Sequence, residues 1–160
     1  MVSEKLINEN NRDSVVVDCC AIIDRHVSAK SGLSGIAIKG AYKAVKAIKR
    51  GFVTNVVDAL LDEWVEKLTE FEREHEAKGG QGALADYLVA EKGRVAQALV
   101  EVTDKRAEST KHKTAKKFYL RLRDKALQNV EDAVPDLAGL VTKYVDTPDA
   151  PPAAKKTGSD

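Results

Sequence analysis

Two short groups of residues contain the side chains that most often bind metals or act as nucleophiles. Glu72 and His75 have the Glu-x-x-His spacing by which helical bundles hold metal ions, but a di-metal site needs a second such pair and the sequence has none. Cys19 and Cys20 are adjacent, and His26 follows in the same apolar stretch. Because adjacent side chains on a helix diverge by about 100°, the two thiols cannot readily join. We interpret the first pair as part of a surface charge cluster and the cysteines as small core residues.

The glycine-rich segments offer no better catalytic site. Segment 32–35, Gly-Leu-Ser-Gly, precedes a predicted helix and can present backbone N–H groups to a phosphate, but it lacks the Walker spacing and its lysine. None of these segments has the pattern of a nucleophile elbow. The sequence therefore predicts no catalytic residue, no cofactor and no metal ligand, and we expect a protein that is not an enzyme.

The clearest pattern in the chain is a change in charge across Gly51. Basic residues precede this glycine and acidic residues follow it, each set at steps of three or four that line one face of a helix. The basic set is Lys39, Lys43, Lys46 and Arg50, and the acidic set is Asp58, Asp62, Glu66 and Glu70. An antiparallel helical hairpin about Gly51 would place Lys46 opposite Asp58, Lys43 opposite Asp62 and Lys39 opposite Glu66.

Two other interpretations of this basic face stay open. In the first, the face of residues 36–50 is unpaired and binds an anionic surface, because apolar residues and lysines alternate there as in interfacial amphipathic helices. In the second, it is a solvated charged face with neither role.

A second basic run covers residues 111–125. Lys113, Lys116, Lys117 and Arg121 can share a helical face there, with Phe118 and Tyr119 between them. They form either a phosphate-contacting patch for nucleic acid or anionic lipid, or a solvated face whose lysine stems cover apolar neighbours. No helix-turn-helix or zinc-finger pattern accompanies the run.

Composition favours a helical protein with one core. The chain has 160 residues, of which 43% are hydrophobic and only 5% aromatic, and its net charge is +1. This balance argues against a dedicated nucleic-acid-binding protein. No stretch approaches the roughly 20 apolar residues of a membrane span, and the N-terminal residues do not resemble a signal peptide, so we expect a cytoplasmic protein.

Apolar residues at steps of three and four predict an all-α fold, a single bundle of about five to seven helices. The expected domain is 1–146, and residues 147–160 are expected to form a disordered tail rich in Pro, Ala and Lys. Val53, Val57, Leu60, Trp64, Leu68 and Phe71 give the strongest apolar face. The apolar arc of the helix near residue 20 predicts a central, largely buried helix. After a short amphipathic start at 3–9, the expected helices are 13–30, 34–50, 54–78, 83–107, 109–133 and a last one from Pro135 to about 145.

Two stretches, from Ser31 to Val53 and from Lys105 to Val145, resemble a family of small helical bacterial proteins with no assigned activity. The resemblance is carried by spacings of Gly, Ala and Lys and covers most of the chain outside the tail. It implies a bacterial, cytosolic, all-helical domain and supplies no catalytic residues.

The informative residues are thus those of helix packing and charge pairing. We expect a non-enzymatic interaction or scaffold protein that associates with a protein partner or with itself. The alternative is a peripheral protein that binds anionic membrane or nucleic acid through its basic helix faces.

Overall fold

The computed structural model describes residues 1–146, which form seven α-helices and no strand. The all-α prediction is confirmed. The predicted tail, 147–160, lies outside the described residues. The helices are α1 Val2–Leu6, α2 Arg12–Ala29, α3 Gly32–Lys46, α4 Phe52–Ala77, α5 Leu84–Ala90, α6 Lys92–Ser109 and α7 Lys113–Val145.

Helix α4 packs against five other helices, α1, α2, α3, α5 and α6. Four of the six residues of its predicted apolar face are buried, while Val53 and Trp64 are half-buried. Val57, Leu60 and Leu68 are each no more than 3% exposed. Burial of each such side chain stabilises the fold by about 1.5–3 kcal/mol, so α4 provides much of the core.

Helix α2 is less buried than expected. Val15 and Val16 are its buried residues, whereas Cys19, Cys20 and Ile23 are only half-buried. The wide apolar arc had predicted a central helix, and that prediction is wrong. The helix packs on α3, α4 and α7 with one side and leaves Val17 63% exposed on the other.

The C-terminal part of the described chain is one long helix rather than two. Helix α7 continues through Pro135, which was expected to start a separate helix. A proline inside a helix removes one hydrogen bond and costs about 3 kcal/mol. Val134 and Ala138, on either side of it, are at most 2% exposed in the core, and their burial offsets that cost.

The predicted helix at 83–107 is instead two helices, α5 and α6, that meet at Glu91. The backbone of Glu91 leaves the helical conformation, with φ −101° and ψ 22°, and its carboxylate pairs with Arg94 at 3.1 Å. The bend lets α5 pack on α7 while α6 lies against both α4 and α7.

A turn about Gly51 separates α3 from α4, as the sequence predicted. Gly51 has φ +74°, a left-handed conformation that glycine adopts without the steric cost of a Cβ atom. Its carbonyl accepts the first helical hydrogen bond of α4, from the N–H of Asn55, at 3.0 Å. Helix α3 packs more extensively against α7 than against α4, and this arrangement decides which face of α3 stays outside.

Candidate anionic-surface interface on helix α3

The acidic face of α4 binds an arginine of α2, not the lysines of α3. Arg12 Nε donates to Asp58 Oδ1 at 2.9 Å, and its Nη1 donates to Asp62 Oδ1 at 2.8 Å. A further bond joins Nη2 to the carbonyl oxygen of Asp58 at 2.8 Å. Hydrogen bonds from Arg12 hold the pKa of Asp62 below its ordinary value. The predicted pairs of Asp58 and Asp62 with α3 lysines are therefore wrong.

The lysines of α3 have a different environment. Lys46 lies 3.6 Å from Asp24 of α2, and its ammonium is 5.1 Å from the ring centre of Tyr42. Lys39 and Lys43 are exposed and form no ion pair with any residue in 1–146. The predicted partner of Lys39, Glu66, is likewise exposed and unpaired within the described part. The basic face is thus largely free of internal partners.

Apolar side chains lie beside these lysines on the outer face of α3. Leu33 is 88% exposed and Ile36 is 70% exposed, and Gly40 continues the same face toward Lys43. Such spacing places the apolar and basic residues on one side of the helix. We call this set, Leu33, Ile36, Lys39, Gly40 and Lys43, the outer face of α3.

Close packing of the backbone positions this outer face. A Cβ atom at Gly35 would lie 2.7 Å from the carbonyl carbon of Lys30, so glycine allows the start of α3 to approach the end of α2. On the inner side, Ala41 is buried. Leu33 was expected to lie in a loop before a helix beginning near Ser34. An apolar step from Leu33 to Ile36 was the signal in the sequence that the helix begins earlier.

Arg121, one of the four basic residues of α7 predicted to bind an anionic surface, lies beside α3. A groove between the two helices is lined by Ile36 and Gly40 of α3 and by Phe118, Arg121 and Lys125 of α7, together with one acid, Asp124. The Arg121 guanidinium lies 5.3 Å from the centre of the Phe118 ring. Arg121 therefore extends the basic surface of α3 onto α7.

The other basic candidates of α7 have different positions. Lys113 and Lys117 are exposed, and Lys116 is half-buried in the wall of an apolar cavity. Tyr119 donates a short hydrogen bond to Asp104 of α6, which also accepts from Arg123 at 2.9 Å. Arg50, beyond the end of α3, is exposed and has no ion pair within residues 1–146.

The residues considered for metal binding have structural partners, and the interpretation of the pair as a surface charge cluster is wrong, because His75 is buried and Glu72 is half-buried. Glu72 Oε2 accepts a hydrogen bond from the backbone N–H of Val2 at 2.9 Å. His75 Nε2 donates to the carbonyl oxygen of Gln81 at 3.0 Å, and its ring stacks on Tyr87 at 5.0 Å. Across residues 1–146 no three His, Cys, Asp or Glu side chains are grouped so as to hold a metal ion.

The cysteines are protonated thiols in a largely apolar setting. Burial raises the pKa of Cys19 to about 12, with smaller effects from Cys20 and Asp18. Burial also raises the pKa of Cys20, whose sulfur lies 3.9 Å from the hydroxyl oxygen of Thr54. His26 does not join them, because its Nε2 lies 2.6 Å from Asp136 of α7. A thiolate nucleophile is therefore disfavoured at this position.

Comparison with known proteins identifies the family of this chain. A sequence family described as a family of unknown function, DUF6918, matches residues 2–145. The chain belongs to that family. The match covers the whole bundle, and the expected resemblance to a family without assigned activity is confirmed. No curated protein and no solved structure matches the chain. In this DUF6918 chain, no helix within 1–146 has the length and apolar character needed to cross a bilayer.

Proposed function

We propose that this protein is a non-enzymatic interaction protein that binds anionic membrane surfaces through the outer face of α3. The observation that carries the proposal is the exposure of Leu33 and Ile36 beside Lys39 and Lys43, which form no ion pair within the described chain. A helix of this kind lies in the membrane interface with its apolar side chains among the acyl chains and its cations at the headgroups.

The charge of the segment favours an anionic partner. No acidic residue occurs between Asp24 and Asp58, so α3 and the turn after it carry positive charge alone. On the adjacent α7, Arg121 and Lys125 outnumber the one acid of the same groove, Asp124, and add a net positive charge to this surface. Each cation near an anionic membrane contributes about 1 kcal/mol, and the attraction weakens as salt increases.

The aliphatic side chains favour a membrane over a nucleic acid. Phosphate contacts require cations but gain nothing from leucine or isoleucine, whereas transfer of Leu33 and Ile36 from water into acyl chains is worth up to about 1.5–3 kcal/mol each. The cytoplasmic leaflet is the anionic one in many membranes, and we propose that the protein acts there, in the bacterial cytoplasm.

Co-flotation with vesicles tests this proposal. Vesicles of phosphatidylcholine alone are compared with vesicles that also contain phosphatidylglycerol, at low and at physiological salt. We expect flotation only with the anionic vesicles, strongest at low salt. The variant Lys39→Glu/Lys43→Glu should lose most of this binding. The separate variant Leu33→Ser/Ile36→Ser should bind more weakly than the unaltered protein at physiological salt, where the electrostatic attraction is reduced.

The matched control is Lys92→Glu/Lys105→Glu. It changes the net charge by the same amount, and both lysines are exposed on α6 with no ion pair to another described residue. Equal loss of flotation in the two charge variants would show that only net charge matters, and the assignment to α3 would fail. Absence of flotation for the unaltered protein would refute membrane binding and leave a protein or nucleic-acid partner for the basic face.

A further inference from the structure

An apolar cavity lies between α2, α3, α4, α6 and α7. Its volume is about 420 Å³. It is partly open to solvent, since exposed residues such as Lys49 and Arg106 are among its lining, and ligand pockets typically measure about 300–1,000 Å³. The cavity therefore has the size of a binding site for a small molecule.

The buried part of this cavity is mostly hydrocarbon. Phe52, Val57 and Leu60 of α4 are buried, at most 6% exposed, and line it together with Trp64 and with Leu122 of α7. The indole N–H of Trp64 donates to the carbonyl oxygen of Leu99 at 3.2 Å, so it is satisfied without a ligand. A ligand that enters this space must be largely apolar.

The charges of the cavity wall have a single sign. Lys49, Arg106 and Lys116 line the cavity, whereas no aspartate or glutamate is among its lining residues. Lys49 and Arg106 are exposed and Lys116 is half-buried, so the positive charge lies on the more solvent-accessible part of the lining. None of the three forms an ion pair within residues 1–146. Three cations without a carboxylate on an apolar cavity complement a ligand that has an anionic group and a hydrocarbon chain.

We propose that this cavity binds a single-chain anionic amphiphile, with its chain between α4 and α7 and its headgroup at Arg106 and Lys116. The ligand class is that of fatty acids and of alkyl phosphates, which share this chemistry. The inference goes beyond the proposed membrane binding, because it rests on this cavity rather than on the outer face of α3 and applies to a monomeric ligand free in solution.

The chain contains its own reporter, since Trp64 is its single tryptophan and lies in the cavity wall. A dansyl-labelled undecanoate probe is titrated into the protein without vesicles, below its micellar concentration. We expect saturable energy transfer from Trp64 to the probe. Dodecanoate or dodecyl phosphate should then displace the probe, and the tighter of the two identifies the headgroup as a carboxylate or a phosphate.

Dodecanol distinguishes a site that recognises the anionic headgroup from a cavity that binds any hydrocarbon chain. It has the same chain without the charge, and loss of a charge-assisted hydrogen bond should weaken its binding by about tenfold or more. Displacement by dodecanol as effective as by dodecanoate would overturn the proposal, as would the absence of probe binding. This comparison uses the unaltered protein and does not depend on the folding of any variant.

Two variants locate the site. Arg106→Glu/Lys116→Glu should weaken dodecanoate by about tenfold or more, whereas the control Lys92→Glu/Lys105→Glu, whose residues do not line the cavity, should bind within about twofold of the unaltered protein. Ala107→Phe should fill the cavity and abolish binding, while Ala90→Phe at an exposed position of α5 should not. Equal effects of a variant and its control would show that the amphiphile does not bind in this cavity. A negative result in this titration does not affect the flotation result, because the titration contains no membrane.

Discussion

The ion pairs of Arg12 provide the sharpest quantitative prediction of this structure. Arg12 joins the first turn of α2 to α4 through Asp58 and Asp62, while the α3 residue Lys43 forms no ion pair within residues 1–146. Both carboxylates are more than half exposed, at 52% and 59%, so solvent screening keeps each pair weak, at about 0.5–1 kcal/mol. Replacement of Arg12 by methionine removes both pairs and the bond to the Asp58 carbonyl, and should lower the free energy of unfolding by about 1–2 kcal/mol.

A double-mutant cycle isolates the pair from other effects of the substitutions. Arg12→Met, Asp62→Asn and their combination are unfolded in urea and followed by the fluorescence of Trp64. We expect a coupling free energy of about 0.5–1 kcal/mol for Arg12 with Asp62. The matched cycle of Lys43→Met with Asp62→Asn should be additive within about 0.3–0.5 kcal/mol. Additivity in the Arg12 cycle, or coupling in the Lys43 cycle, would refute the observed pairing.

The coupling should also depend on pH with a defined sign. Hydrogen bonds from Arg12 lower the pKa of Asp62 in the folded protein below its ordinary value of 3.8. Ionised Asp62 therefore contributes stability that is fully present above pH 3.8 and is lost as the pH falls through the folded-state pKa. Coupling that grows on acidification would contradict this assignment.

Other predictions concern the core, the long helix and the thiols. Leu88→Ala removes a side chain that is 1% exposed and should destabilise the protein by about 2–5 kcal/mol in urea unfolding, whereas Leu120→Ala, at 58% exposed, should change stability by less than about 0.5 kcal/mol. Pro135→Ala restores a helical hydrogen bond in α7 and should raise stability by about 1–2 kcal/mol after the gain in unfolded-chain entropy; a lower melting temperature would contradict a continuous helix. Burial raises the pKa of both thiols, so iodoacetamide at about pH 8 should label Cys20 slowly and Cys19 more slowly still, as peptide mass spectrometry would detect. Labelling of Cys19 at the rate of a free thiol would show that its side chain is not shielded from solvent.

The parts of the fold that depend on local periodicity could be predicted from the sequence. Helix α4 is the best case, because Val57, Leu60, Leu68 and Phe71 repeat at the helical period and are all buried. The all-helical class and the turn at Gly51 follow from similarly local signals. The prediction of a separate helix from Pro135 was wrong because it also relied on a local signal. The local preference of proline to begin a helix is outweighed by core contacts on both sides of it.

The candidate site was predictable only in part, because charge pairing depends on which helices pack together. Basic spacing located Lys39 and Lys43 correctly on one helix face, but the partner of the acidic face, Arg12, lies 46 residues before Asp58 and has no periodic signal. The apolar cavity was not predictable either. Its wall is assembled from five helices, and residues such as Lys49 and Arg106 come together only when the chain is folded.

A fluorophore on α3 tests the central claim, that this face enters an anionic membrane, most directly. Leu33→Cys, in a background with both native cysteines replaced by serine, is labelled with a nitrobenzoxadiazole dye, and Gln97→Cys on the exposed side of α6 serves as the control. On addition of phosphatidylglycerol vesicles, we expect a blue shift and increased emission at position 33, reversed by high salt, and no change at position 97. No change at position 33, or an equal change at both positions, would refute insertion of α3 into the membrane.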